Sequence, residues 1–428
     1  VVIVASCSFQ GQTAVPSVPA LNEALAEAEH VPQACIIMQR NACPAQLVPG
    51  RDHDFHALEQ SPPVEPVEVR AQDPLYILHT SGTTGRAKGI VRDNGGHAVA
   101  LALSMELIYG CKAGDTFLTT SDLGWVVGHS YGVYAPLISG CTSLIVEGGA
   151  SASAIRVLCQ EHAVTCLFTT PTQMRLMRQE SRNLPDVTWP DLARVCVAGE
   201  YADPTLLDWA RAYFQPPVAN HWWQTETGWS IAAHFFGLDE SDAAVSMNDI
   251  GRPAPGFCPS IVPSEAGGQG GEIVLSLPLP PGCLSGLWRD KAVHAPDLYL
   301  DEDKTHYRTF DIGMIDGDHV IHMLGRSDDV IKVAGRRISG VQIEKIIAAH
   351  PAVHACAVAA SPDGLRGQRP VAYVVPEAGL ESPPCADDLI GQVAQALGRW
   401  VGLREIRCVA QLPRTVSGKI TRNKLLVS

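Results

Sequence analysis

Two kinds of segment alternate along the chain. Short apolar runs read as strands: residues 1–6 (VVIVAS), 34–38 (ACIIM), 75–79, 143–147, 166–169 and 194–198. Between them, residues 21–29, 97–109 and 154–162 carry the spacing of amphipathic helices. A connector rich in proline and glutamate, residues 61–69 (SPPVEPVEV), separates the first strand–helix–strand unit from the next. Strands alternating with helices up to about residue 274 predict a mostly parallel sheet covered by helices.

The pattern changes after residue 266. The stretch GGQGGEIVLSLPLPPG, from residue 267, reads as a turn-rich β segment, and residues 319–324 read as another hairpin strand. Residues 327–428 then form a unit of their own, with strands at 355–359 and 371–375 and helices at 341–350 and 387–401. The expected fold is α/β. A large N-terminal domain of parallel sheets and helices plus a β segment (1–326) precedes a small α+β C-terminal domain (327–428). A chain of 428 residues is too long for one hydrophobic core, in keeping with this division.

Composition narrows the function. Asp and Glu number 45 against 32 Lys and Arg, a formal net charge of −13. Such a field repels nucleic-acid backbones, so any phosphate site must be local. No run reaches the ~18 apolar residues of a membrane helix, and no nucleic-acid or membrane partner is expected. The 13 cysteines are scattered without a C-x-x-C pair, which favours buried reduced thiols over disulfides or zinc. A reducing, soluble compartment follows; arginines outnumber lysines 24 to 8, as in GC-rich genomes, so a bacterial cytoplasm is expected, with the mitochondrial matrix as the alternative if the chain is eukaryotic. The chain opens on Val inside a run read as a buried strand, so it is expected to begin within a larger polypeptide.

The chemistry concentrates in residues 77–89, ILHTSGTTGRAKG. A strand runs into small and hydroxyl residues that let backbone N–H groups approach phosphate oxygens, and Lys88 adds a point charge. No Gly-Lys-[Ser/Thr] ends the loop, so it is not a Walker A motif. Further segments follow: AGE at 198–200, HWWQTETG at 221–228, Asp311, GRSDD at 325–329, GRR at 335–337 and RTVSGK at 414–419. In this order they resemble the adenylate-forming acyl-CoA synthetases. DLGWVVGHSYGVYAPL, HWWQTETG and LPLPPGCLSGLW resemble the acetyl-/propionyl-CoA synthetase branch, nearest the propionyl-CoA synthetases.

The resemblance implies an ATP-dependent ligase that converts propionate or acetate to acyl-AMP, releasing pyrophosphate, and passes the acyl group to coenzyme A. Its substrates would be a small carboxylate, ATP and coenzyme A, with Mg²⁺ as cofactor. Bringing an anionic carboxylate against an anionic phosphate demands placed cations and donors. The family pattern assigns Thr80, Ser81, Gly82, Thr83, Thr84, Gly85 and Lys88 to the triphosphate loop. Gly199, Glu200, Trp222 and Gln224 fall to the nucleotide pocket, and Asp311 and Arg326 to the ribose. Thr225 and Arg337 would meet the α-phosphate, and Glu226 the metal ion. Lys419 would bridge carboxylate and phosphate during adenylation. Asp328 marks the hinge about which a mobile C-terminal domain turns, and Gly335 lies toward coenzyme A. Trp223 would close the acyl pocket, with Val126, Val127 and Ala198 on its sides. Acetate-preferring relatives carry valine where this chain has Ala198, so propionate is favoured by roughly 1 kcal/mol.

Some positions depart from that pattern. Asn220 replaces an aspartate, Phe310 a glycine before Asp311, and Lys332 and Arg336 an asparagine and a histidine. Family members also carry an earlier N-terminal portion, so a chain without it is expected to be poorly stable alone. Two other readings stand beside the ligase. One is a truncated, non-catalytic nucleotide-binding remnant. The other is a serine hydrolase, because residues 128–132 (GHSYG) fit the G-x-S-x-G elbow with Ser130 as nucleophile.

Overall fold

A computed structural model describes residues 1–11, 13–80, 88–148, 151–181, 188–200, 202, 204–238, 249–263, 270–288, 299–327, 330–334, 336–377, 379, 382–413, 420 and 422–425. Its first unit is the expected strand–helix–strand. Val2–Ala5 pairs in parallel with Cys35–Met38, which pairs in turn with Asp52–Asp54. The crossover helix Val18–Glu27 starts at its Pro-containing first turn, where the missing N–H costs nothing. A small hairpin, Cys7–Gln10 with Thr13–Pro16, was not foreseen from the pattern. Nor is the opening strand buried: it is a sheet edge, and Val1 and Ile3 are 74% and 64% exposed.

The main sheet has five strands in the order Val218–Asn220, Arg194–Val197, Cys166–Thr169, Thr116–Thr119, Thr142–Ile145, all parallel. Its central strands divide their side chains by parity, as a pleated strand must. Phe117, Cys166, Phe168 and Cys196 join one core cluster. Leu118, Leu167, Val195 and Val197 join the other, with residues of the helices Ala152–Glu161, Pro171–Ser181 and Pro204–Phe214. Both faces are covered, which is why these strands are apolar throughout.

The pair Pro74–Thr80 and Lys88–Asp93 breaks the expected parallel alternation. It is antiparallel and is extended by Gly286–Leu287. A connection of seven residues, 81–87, is too short for a parallel crossover. The later β segment is a four-stranded antiparallel sheet: Pro259–Pro263, Gly271–Ser276, His306–Ile315 and Ile321–Arg326.

Beyond it, Arg336–Ser339, Val330–Val333, Gly367–Pro376 and Val353–Asp363 make an antiparallel sheet to which Ile406–Cys408 adds in parallel. The helices Gly340–Ala348 and Ala386–Leu397 cover it and contribute to a core of its own. The helix expected over 387–401 stops early because Gly398 takes φ +91°, and a 3₁₀ turn, Arg399–Val401, follows. No described helix is long and apolar enough to cross a membrane. All 13 cysteines are free thiols, and eight are buried.

Candidate active site

The strands Cys166–Thr169, Arg194–Val197 and Val218–Asn220 end at one edge of the parallel sheet, and the loops that follow them carry the site, as open α/β sheets place their ligands. After the second of these strands, Ala198 is fully buried and Gly199 turns at φ +96°. Glu200 is held by the Thr172 hydroxyl, which donates to its carboxylate at 2.7 Å, and by Arg175 at 3.7 Å.

After the third strand, His221 is buried and bonds the Tyr109 hydroxyl at 3.0 Å; burial pulls its pKa down to about 3. Trp222 and Gln224 then turn toward Asp311, on the strand His306–Ile315. Trp222 Nε1 and Gln224 Nε2 donate to Asp311 Oδ2 at 2.9 and 2.7 Å, and Arg326 Nη1 donates to Oδ1 at 3.2 Å. The Tyr307 hydroxyl orients the amide by donating to Gln224 Oε1 at 2.9 Å. Burial raises the pKa of Asp311, against the pull of Arg326 and the two donors. Phe310 adopts φ +58° beside it, so the position where a glycine was expected has the backbone a glycine prefers.

Residues 224–228 form a tight turn. Gln224 O accepts from the backbone of Thr227 and Gly228, and the Thr227 hydroxyl caps both Gln224 O and Trp229 O. Thr225 and Glu226 stand half-buried on this turn. Glu226 Oε1 accepts from the Tyr299 hydroxyl at 2.7 Å, and Lys88 Nζ lies 5.2 Å from the centre of the Tyr299 ring. Tyr299 also stacks on Tyr307, linking the Glu226 and Gln224 branches, and burial raises its pKa. Thr80 faces Lys88 across the strand pair. Behind the turn lies Arg92, fully buried, whose guanidinium donates to the carbonyls of Thr225, Glu226 and Gly282.

Val126, Val127, Ala198 and Trp223 belong to one buried cluster, with Trp223 edge-on to Tyr131 at 5.4 Å. Ser130 is no nucleophile elbow. It is 0% exposed in the middle of an unbroken helical stretch: Val126–His129, a π turn Ser130–Tyr134, and Ala135–Ile138. Its hydroxyl donates to Gly228 O at 3.3 Å. A G-x-S-x-G reading needs a sharp strand-to-helix turn with the hydroxyl exposed, and this serine has neither. The hydrolase alternative is thereby overturned.

Ser81, Gly82, Thr83, Thr84, Gly85, Asp328, Gly335 and Lys419 lie outside the described residues, as does the side chain of Arg337. Of the described members of the expected set, Trp222, Gln224 and Arg326 meet at Asp311, and Lys88 and Glu226 meet at Tyr299, while Glu200 is held apart by Thr172 and Arg175. Sequence reasoning missed Arg92, Tyr299 and Tyr307. Arg92 was discoverable, since counting by twos from Lys88 puts it on the same face of its strand.

The comparisons accord with this geometry. The family described as AMP-binding enzyme matches residues 1–288, and the AMP-binding enzyme C-terminal domain matches 342–419. The chain belongs to the AMP-binding enzyme family. Human acyl-CoA synthetase short-chain family member 3, mitochondrial, is 38% identical over 99% of this chain and 64% of its own length. Propionate–CoA ligase of Escherichia coli (strain K12) is 34% identical over 99% of this chain and 70% of its own. The chain thus spans about two thirds of the length of these relatives. Among solved structures, an anthranilate CoA ligase in complex with anthranoyl-AMP superposes with a TM-score of 0.79 at 20% identity, covering 95% of this chain and 76% of its own. A Brucella canis acyl-CoA synthetase gives 0.63 at 25% identity, covering 99% and 83%. The fold is therefore the α/β fold of adenylate-forming enzymes.

Proposed function

We propose that the chain carries the catalytic machinery of an ATP-dependent short-chain acyl-CoA synthetase, adenylating propionate in preference to acetate and then forming the thioester with coenzyme A. The observation that carries this reading is the convergence of Lys88, Glu226, Gln224, Asp311 and Arg326, from four separate segments, through the two stacked tyrosines.

Asp311 would take the ribose hydroxyls and Glu200 would face the adenine. Lys88 and Thr80, with the loop between them, would hold the β- and γ-phosphates. Thr225 would meet the α-phosphate, joined by Arg337 and, for the adenylation step, Lys419. The chemistry of this donor set suits Mg²⁺, which is commonly bound through one or two carboxylates and the substrate's phosphates. Glu226 would hold the ion, which when bound neutralises phosphate charge. Trp223, Val126, Val127 and Ala198 would enclose the acyl chain. We place the boundary to the lid at 326/327, with Asp328 as hinge and Gly335 toward coenzyme A, and the protein in the cytoplasm.

Carboxylate-dependent ATP–pyrophosphate exchange tests the reading. Propionate should support exchange with a higher kcat/KM than acetate, and Lys419→Ala should reduce it by two orders of magnitude or more. No exchange with any short carboxylate would favour a nucleotide-binding remnant. Exchange that survives Lys419→Ala unchanged would remove the lysine from the mechanism. Ala198→Val should move the preference toward acetate by about tenfold, the worth of one methylene.

A further inference from the structure

We propose that Arg92 is a positioning residue for the α-phosphate: it holds the Thr225–Glu226 backbone in place and sets a buried positive charge behind it. The inference rests on the adenylating reading above and assigns a role to a residue which that reading does not use.

Arg92 is 0% exposed. Nη1 donates to Gly282 O at 2.5 Å and to Glu226 O at 3.1 Å, and Nη2 donates to Thr225 O. Glu226 O also accepts from the backbone N–H of Leu284 at 2.7 Å, so the turn is clamped from two sides. The fit is close. A Cβ on Gly228, which sits at φ +76°, would come within 2.6 Å of Arg92 Cζ and Nη1. Among the described residues, the acceptors of Arg92 are all backbone carbonyls and Nε has no partner.

No described carboxylate pairs with this buried guanidinium, and carbonyl dipoles offset only part of the cost of burying it. Such an arrangement suits a site where an anion arrives from outside, because in low dielectric an uncancelled charge acts over several ångströms. The peptide geometry adds to this. With the Thr225 carbonyl aimed at Arg92, the N–H of the same planar unit, that of Glu226, points the opposite way. Arg92 also shares its strand with Lys88, so one element places a cation toward each part of the phosphate chain.

Isothermal titration with AMP and with adenosine separates this role from a structural one, because the two ligands differ only in the phosphate. The wild-type chain should bind AMP more tightly than adenosine. In a folded Arg92→Met variant that preference should fall at least tenfold while adenosine affinity stays within about threefold. Arg92→Lys retains charge but not the fork, and should lie between the two. Equal losses for both ligands, or an unchanged preference in folded Arg92→Met, would overturn the proposal. If Arg92→Met does not fold, Arg92→Lys decides: a preference reduced threefold or more supports the role, and an unchanged one refutes it. A wild-type chain that does not distinguish AMP from adenosine would instead sink the adenylating reading, and this inference with it.

Discussion

The two ends of the site are built on different principles. Around Asp311 the protein satisfies itself: one carboxylate accepts from Trp222, Gln224 and Arg326, and Tyr307 locks the amide of Gln224. Around Thr225 and Glu226 the support comes from behind. Arg92 holds backbone carbonyls there, while among the described residues the Thr225 hydroxyl takes no partner. The first arrangement is preorganised and rigid without a ligand. The second leaves charge and donors uncommitted, as a site for a highly charged group requires.

Acid should break both ends and tell them apart. His221 lies behind the Asp311 end, and His97 packs against Tyr76 of the strand pair at the other. Burial is the main cause holding each near pKa 3. Above pH 6.5 both are neutral whether folded or not. As pH falls below 6.5, the unfolded chain takes up protons that the folded protein refuses until about pH 3, so stability drops across that window. At about 1.4 kcal/mol per unit, several kcal/mol are at stake for each histidine. Thermal melts from pH 7 to 4 should show a steep fall in Tm, and single His97→Leu and His221→Leu variants should each flatten it. Equal Tm values at pH 7 and pH 4.5 would refute the buried-neutral assignment.

Asp311→Ala should come next. It leaves the buried Trp222 Nε1 without its acceptor and takes one partner each from Gln224 and Arg326, which still donate to Thr309 O, for a loss of about 2 kcal/mol by urea unfolding. A loss below 1 kcal/mol would mean that this end is less tightly built than its hydrogen bonds indicate. Tyr299→Phe removes a single hydroxyl from Glu226. It should cost about 1 kcal/mol of stability and leave adenosine affinity unchanged. A fall in adenosine affinity would tie the two ends together through the Tyr299–Tyr307 stack.

The smallest effect isolates strain. Phe310→Gly and Phe310→Ala lose the same ring, but only glycine is at ease at φ +58°. The glycine variant should be the more stable by about 1 kcal/mol, against the usual order in which glycine destabilises. Alanine equal or better would show that the backbone relaxes once the ring is gone.

The parallel sheet was legible because a strand covered on both faces must be apolar throughout. Residues 166–169 and 194–198 announced themselves in this way, and the observed strands match them to within one residue. The residues proposed to hold the nucleotide were picked out by short motifs, whose residue types phosphate chemistry constrains wherever they fall in the chain. The antiparallel pairing of Pro74–Thr80 with Lys88–Asp93 was not legible, since a strand pattern carries no direction. The G-x-S-x-G at residues 128–132 misled for a related reason, as five residues cannot say whether they turn sharply or run on in a helix.

By itself the sequence determined the class of fold, the division into a large unit and a small one, and the motifs from which the proposed site is drawn. These depend on local periodicity and on side-chain type. Only the tertiary structure decided that Arg92, from a strand 133 residues earlier, stands behind Thr225, and that Tyr299 joins Glu226 to Lys88. Partnerships of that kind depend on which segments pack together, and packing is settled by the burial of the whole chain, not by any stretch of it.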